Sequence, residues 1–341
     1  MARCSSVRMA ELGWENVHQF EKAAQFGNSY SNLVCTATEL QPITRPFIRN
    51  MNRVRGIGVL SINLVSIAVV NEAARVEALV NKKIPLHDPR VTGGHPKFDH
   101  ALFKEVDKER ERLVGGWTKA WPDFDSKTWV LGVYGMNKII DCNPKEAGEA
   151  VQTTMAAMLI GLWTAFESMA QDTWIASVNA RPVPLAQRVL EPGARLETGE
   201  QTKSVSWKVI SGAGFDLRGT MGDTLLRERK VDFQSLKMIR AAYNVAFAGE
   251  IEPIFKLHNT ELFRLETVRN LFVHKGGLVD RKFVERMGNE PDMKDKIGRS
   301  LSVNGEYVAH KANVVAVCST QLLQAVDKWL LDNPTTEDQS G

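Results

Sequence analysis

Between Pro46 and Pro85 the chain contains no proline, and the same is true between Pro144 and Pro182. Proline inside a helix removes a backbone donor and clashes with the preceding turn, so windows of this length are open to long helices. In the first window Leu60, Leu64, Ile67, Val70 and Ala74 recur at three- and four-residue spacing, which predicts one long helix with Pro46 in its first turn. In the second, "DCNPKEAGEAVQTTMAAMLIGLWTAFESMAQDTWIASVNARPVP" begins a new unit near Asn143-Pro144 and predicts a second long helix that ends before Pro182. The expected fold class is all-α.

The remaining punctuation agrees. "IPLHDPRVTGGHP" (84–96) is rich in Pro, Gly and Asp and reads as a loop. "KFDHALFKEVDKERERLVGGW" follows as a charged amphipathic helix, with Glu105–Lys108 and Glu109–Arg112 spaced to support one another. Residues 182–230 read as irregular, with "KSVSWKVI" a candidate short strand. Helical patterning resumes at 231–247, 259–275 and 280–287 and closes with 306–332, before a tail expected to be disordered. At 341 residues, two units are expected: an N-terminal helical region (1–144) of unknown role and a C-terminal helical domain (145–332), with 333–341 as the tail.

The four cysteines, Cys4, Cys35, Cys142 and Cys318, lie far apart with no C-x-x-C pair, which points to free, mostly buried thiols in a reducing compartment. The opening residues contain no apolar core of a secretory signal, so a cytoplasmic location is expected. Two apolar runs, "GIGVLSINLVSIAVV" and "MAAMLIGLWTAF", fall short of the roughly twenty residues a spanning helix needs. They are expected to be buried core helices, and no membrane partner is expected. The net charge is +3; residues 1–144 carry 19 Lys/Arg against 15 Asp/Glu and the rest 24 against 25, so any broad attraction for nucleic acid would come from the N-terminal part.

One stretch reads as chemistry rather than packing: "RNLFVHKGG", residues 269–277. Asn270 and His274 are four apart and share a helix face, while Arg269 projects about 140° away from His274 at 100° per residue. His274 and Lys275 fall in the last helical turn, with Gly276 or Gly277 as the left-handed cap. The carbonyls at a helix C-terminus favour a cation, so a histidine there is placed to act as acid or base near physiological pH. The same pattern also serves as a plain basic cap on a helix end.

"RNLFVH" fits the R-x(4–6)-H pattern of the HEPN superfamily, and its polar residue stands directly after the Arg as is usual there. The order "GLWTAFESMAQDTW", "VDFQSLKMIRAAY", "RNLFVHKGGLVDRKFV" and "VDKWLL" resembles the RiboL-PSP-associated branch over about 145–332. The resemblance implies a four- or five-helix bundle that dimerises so that two such helices meet in one cleft. It implies a metal-independent endoribonuclease with no cofactor, leaving 2′,3′-cyclic phosphate and 5′-hydroxyl ends. His274 would be the acid or base, Arg269 the phosphate fork and Asn270 an orienting residue. Such proteins are often toxins or phage-defence effectors, which implies RNA, a second copy and an antitoxin or defence-system protein as partners. The alternative is a catalytically silent HEPN-like module that binds a protein or nucleotide.

Other candidates carry less. Glu167, a carboxylate in the apolar "TAFESM" helix, either pairs with Arg269 or His274 or is simply exposed, and Lys275 either meets phosphate or is solvated. Arg45, Arg49 and Arg53, with Arg55 close by, form a stripe that would suit RNA phosphates or a solvated helix face. His87, His95 and His100 with Asp88 and Asp99 match no closed zinc pattern and have no cysteine near, so no metal is expected. "GIG" (56–58) and "GAG" (212–214) lack the continuation of a nucleotide loop, there is no Walker A lysine, H-E-x-x-H or G-x-S-x-G, and the tryptophans form no stacking platform.

Overall fold

The computed structural model describes residues 22–23, 26–27, 29–120, 144–191, 211, 219–228, 231–288 and 294–334. The candidate strand at 203–210, the tail at 335–341, and Cys4 and Cys142 lie outside them. In chain order the helices are α1 (Gln41–Asn81), α2 (His100–Ala120), α3 (Pro144–Ala180), α4 (Pro182–Leu190), α5 (Met221–Arg227), α6 (Leu236–Ala246), α7 (Glu252–Lys275), α8 (Arg281–Arg286) and α9 (Gly305–Asp332). A single 3-10 turn, Pro89–Val91, lies between α1 and α2. Among the described residues the one β-type feature is an isolated antiparallel bridge between Leu278 and Ser300. The protein is all-α in this sense, and no described helix is long and apolar enough to cross a membrane.

Three sequence expectations need correction. α1 starts at Gln41, so Pro46 lies inside the helix and not in its first turn. The start is set upstream: Ile43 N–H donates to the Leu40 carbonyl at 3.0 Å, and the Thr44 hydroxyl donates to the Gln41 carbonyl at 3.0 Å. Residues 182–190 and 221–227, read as irregular, form α4 and α5. Pro182 sits at the start of α4, where its missing N–H costs nothing. Glu105 pairs with Lys82 at 3.3 Å and not with Lys108, while Arg112 and Glu109 do pair, at 2.7 Å.

The chain forms two compact units. One contains α1 from Ile57 onward, α2 and the start of α3 up to Val151. Its core is Ala74, Ala78, Leu79, Val91, Val106 and Leu113, edged by Ile84 and Trp117. Asn71 of α1 accepts from Arg110 of α2, and Lys82, just after α1, pairs with Glu105 of α2. The apolar run of α1 is therefore only partly core. Val70 and Ala74 are buried, whereas Leu60, Leu64 and Ile67 are 58%, 59% and 56% exposed.

The other unit contains residues 22–56 and everything from Gln152 onward. The second apolar run is its centre: Met155, Met158, Leu159, Leu162, Trp163 and Phe166 are all buried. α3 is stitched to α6 by two side chains, the Trp174 indole donating to the Ala242 carbonyl at 3.1 Å and the Tyr243 hydroxyl to the Ala170 carbonyl at 2.7 Å. Tyr243 stacks on Phe247, which meets Trp329 of α9 edge-on with centroids 5.2 Å apart. Residues 22–56 return to this unit through polar contacts that no local pattern announces. The Asp327 carboxylate accepts from Thr36 and Ala37 N–H at 3.0 and 2.7 Å, and Arg181 pairs with Glu39 at 3.3 Å. Cys35 and Cys318 are free and buried, and burial pushes the Cys318 thiol up to about 12.

α7 and α9 share a buried charge. Lys311 of α9 has a side chain 1% exposed and donates to the Glu261 carboxylate of α7 at 2.5 Å. His310 reaches the same carboxylate oxygen at 2.9 Å. Burial pushes Lys311 below the usual lysine range despite Glu261. Burial also pushes Glu261 up, but the bonds from Lys311 and His310 outweigh it and hold the carboxyl below its usual range.

Gly222 of α5 would place a Cβ 2.6 Å from the Ile175 carbonyl oxygen, whereas Gly56 in α1 has nothing within 4 Å. Gly222→Ala should lower unfolding stability by about 1–3 kcal/mol of overpacking, partly offset by helix propensity. Gly56→Ala should raise it by about 0.5–1 kcal/mol, and urea titration reads both. Glu261→Gln leaves Lys311 buried without its counter-charge, so a loss of roughly 3 kcal/mol is expected at pH 7. Because the folded-state pKa of Lys311 lies below its unfolded value, the unfolded chain binds more protons there. The variant should therefore regain stability as pH rises toward 10.5, the ordinary lysine value; a flat profile over that range would refute the assignment.

Candidate functional site

α7 brings the motif to the surface. Its inward face carries Phe255, Leu262, Leu265, Val268 and Leu271, all buried, and its last turn leaves the core. The helix stops at Gly276, which is left-handed at φ 58° and ψ 27°. Gly277 is also at positive φ (83°), and its N–H donates back to the Leu271 carbonyl at 3.2 Å. From there the chain is held extended against 298–301. Leu301 N–H donates to the Gly277 carbonyl at 2.8 Å, and Val279 N–H to that of Arg299 at 3.0 Å. Asp280 then caps α8, accepting from Phe283 N–H at 2.8 Å.

This turn folds α8 over the end of α7 and leaves an open-sided cavity of about 210 Å³. Thr267, Asn270, Leu271, His274 and Lys275 line it from α7, with Asp280, Lys282, Phe283 and Arg286 opposite. His274 is exposed at its rim. Lys275 is 57% exposed and 3.8 Å from Asp280, so it is both partly solvated and part of the lining. The cavity thus gathers Lys275, Lys282, Arg286 and the titratable His274 against the single lining carboxylate of Asp280, an arrangement that favours an anion.

Arg269 does not line the cavity. Its Nη1 donates to Asn270 Oδ1 at 2.8 Å, and its Nε is buried without a hydrogen-bond partner. The motif is therefore a relay, in which Asn270 faces the cavity while holding the arginine beside it. Glu167 is half-buried, neither fully exposed nor bonded to His274. Burial pushes its carboxyl up; the charge of Arg269 and the nearby Trp163 indole offset part of this, and Asp232 adds to it. The Trp163 indole N–H approaches that carboxylate without completing a hydrogen bond of normal geometry.

Sequence reasoning missed Glu266, Lys282 and Arg286. Glu266 is 4% exposed and accepts from Arg286 Nη2 and from Leu236 N–H, each at 3.4 Å. Burial pushes its carboxyl up, against the opposing pull of Arg286, the Leu236 N–H and Arg269. Arg286 also lies over the Phe263 ring, 5.0 Å from its centroid. The E-x-x-R spacing of Glu266 and Arg269 was a visible signal, whereas nothing local distinguishes Arg286 from Arg281 in "DRKFVER".

The remaining candidates have other roles or none visible. Arg45, Arg49 and Arg53 are exposed on α1, with Arg53 donating to Asn50 at 3.4 Å. Arg55 leaves the stripe, bonding the Phe26 carbonyl and lying 4.7 Å from that ring's centroid. Asp88 caps the 3-10 turn and pairs with Arg90 at 2.7 Å, and Asp99 accepts from Ala101 and Leu102 N–H at the start of α2. Among the described residues, no group of three or more His, Cys, Asp and Glu is placed to hold a metal ion.

Gly277 is the backbone hinge of the site, because a Cβ there would meet the Phe272 ring at 2.8 Å in addition to the strain of φ 83°. At Gly276, with φ 58°, nothing lies within 4 Å, so only the strain counts. Gly276→Ala should cost about 1–2 kcal/mol and Gly277→Ala more, in thermal or urea unfolding. The reverse order would mean that the turn does not hold α8 as described.

A scan of protein-family models gives no match to this chain, and neither the curated proteins nor the solved structures yield one.

Proposed function

We propose that this protein is a metal-independent endoribonuclease of HEPN type, active as a homodimer, and that it serves as a toxin or phage-defence effector held by an antitoxin or a defence-system protein. The observation that carries the reading is His274 exposed at the rim of a cavity lined by Lys275, Lys282 and Arg286, with Arg269 held alongside by Asn270. A phosphodiester is the anion such a cavity suits, and a titratable imidazole beside it is what transesterification needs.

In this mechanism neutral His274 takes the 2′-hydroxyl proton and the 2′-oxygen attacks phosphorus. The bond to the 5′-oxygen breaks, and that oxygen takes a proton from the imidazolium of the partner subunit's His274. The products are a 2′,3′-cyclic phosphate and a 5′-hydroxyl. Lys282 and Arg286 neutralise charge on the phosphorane, and Arg269 completes the set by swinging from Asn270 to the non-bridging oxygens.

A second reading has one observation in its favour. Arg269 does not line the cavity, as expected of a silent HEPN-like module that binds a partner or nucleotide and performs no chemistry.

The deciding experiment is cleavage of RNA in EDTA by wild type, His274→Ala and Arg269→Ala, with the product ends identified. Wild type should leave cyclic-phosphate ends, and His274→Ala should lose roughly 10²–10⁴-fold in rate, the range of a general acid–base group. Arg269→Ala should lower the rate, and Arg269→Lys should restore little of it because ammonium lacks the planar fork. Loss of activity in EDTA, or cleavage undiminished in His274→Ala, would overturn the mechanism.

A further inference from the structure

A second cavity, of about 440 Å³, lies between α6 and α7 and has no part in the mechanism above. Its lining includes Lys237, Arg240 and Asn244 from α6, with Glu252, Asn259 and Phe263 from α7. The volume falls within the roughly 300–1,000 Å³ of small-molecule sites.

The polar groups in it are held in place. Arg240 Nη1 donates to Asn259 Oδ1 at 2.6 Å, its Nη2 pairs with Glu252, and its Nε is buried with no hydrogen-bond partner. That bond uses the Asn259 carbonyl and leaves its amide N–H₂ as the remaining hydrogen-bonding end. Asn244 is exposed and offers both donor and acceptor. Phe263 adds an aromatic surface, the charge of Arg240 is met by Glu252, and Lys237 is the second cation of the lining.

The two cavities share a wall. Phe263 lines the second and carries the guanidinium of Arg286, which lines the first, 5.0 Å from its centroid. Glu266 bridges the same two sides, accepting from Arg286 and from the N–H of Leu236.

We infer that the cavity between α6 and α7 is an adenine-nucleotide subsite. An asparagine amide matches the N6 donor and N7 acceptor of adenine in a bidentate pair. Unstacked bases are held by such edge contacts together with an aromatic face, and cations meet the attached phosphate. The inference rests on the proposed RNA substrate for the source of the nucleotide, but not for the chemistry of the cavity. On that substrate the subsite holds an unpaired adenosine several nucleotides along the chain from the cleaved bond, because Asn259 lies 15 residues, about 22 Å, from His274 along α7.

The test uses the full-length His274→Ala chain, so that no probe is cleaved, and labelled single-stranded oligoadenylate and oligouridylate as ligands. Oligoadenylate should bind more tightly, AMP should compete with it and inorganic phosphate should compete less. Asn244→Ala, at an exposed position that does not threaten folding, should weaken oligoadenylate and AMP about tenfold and leave oligouridylate little changed. Asn259→Ala should act in the same direction, while Lys282→Ala, which lines the other cavity, should leave AMP binding intact. AMP binding that depends on Asn244, without a matching effect on oligoadenylate, supports the subsite and makes a free nucleotide its occupant. Equal binding of both oligomers together with AMP affinity indifferent to Asn244→Ala and Asn259→Ala overturns it. These outcomes are read without cleavage, so a failed subsite leaves the ribonuclease proposal standing, and a failed ribonuclease leaves the subsite standing.

Discussion

Lys311 has almost no contact with water, and the carboxylate of Glu261 is what makes its charge tolerable there. An ammonium buried without a partner would cost several kcal/mol, so α7 can slide or rotate against α9 only by losing this bond. The contact therefore sets the rotation of α7. At 100° per residue, Asn270 lies about 180° and His274 about 220° round the helix from Glu261. Holding Glu261 against α9 turns the motif away from α9 and toward the side over which α8 folds. The chemistry-bearing face of α7 is thus positioned by a residue more than two turns upstream of it.

Electrostatics on the other side of α7 continue the same logic. Glu266 is buried and pushed up by that burial, yet it accepts from Arg286 and from the first N–H of α6. One carboxylate thereby ties α6, α7 and α8 together and aligns the cation that belongs to the anion-favouring cavity. The same contacts make the wall between the two cavities. Arg269 is held by its bond to Asn270 and keeps a buried Nε without a hydrogen-bond partner. A side chain with an unspent buried donor has something to gain by moving when a phosphate arrives.

Much of the helical architecture could be read residue by residue. The long proline-free windows became α1 and α3, the end of α3 before Pro182 and the Asp280 cap of α8 follow from local rules, and Gly276 ends α7 as a left-handed cap. Where local reading went wrong, tertiary contact had intervened. Pro46 is accommodated within α1, and Glu105 chose Lys82 on another helix over Lys108 on its own. Leu60, Leu64 and Ile67 carry the periodicity of a core face without being covered.

That Asn270 and His274 share a helix face near a C-terminal cap is settled by local rules alone. Helix pitch and glycine's access to positive φ act within a few residues and need no partner. Only the tertiary structure decided what that face meets: a cavity closed by Lys282 and Arg286, an arginine held beside it, and the return of residues 22–56 to the C-terminal unit. Those outcomes rest on single contacts such as Asp327 with Ala37 and Lys311 with Glu261, formed between residues 290 and 50 positions apart. At such separations side-chain type says what a residue can bond, and packing alone says which partner it finds.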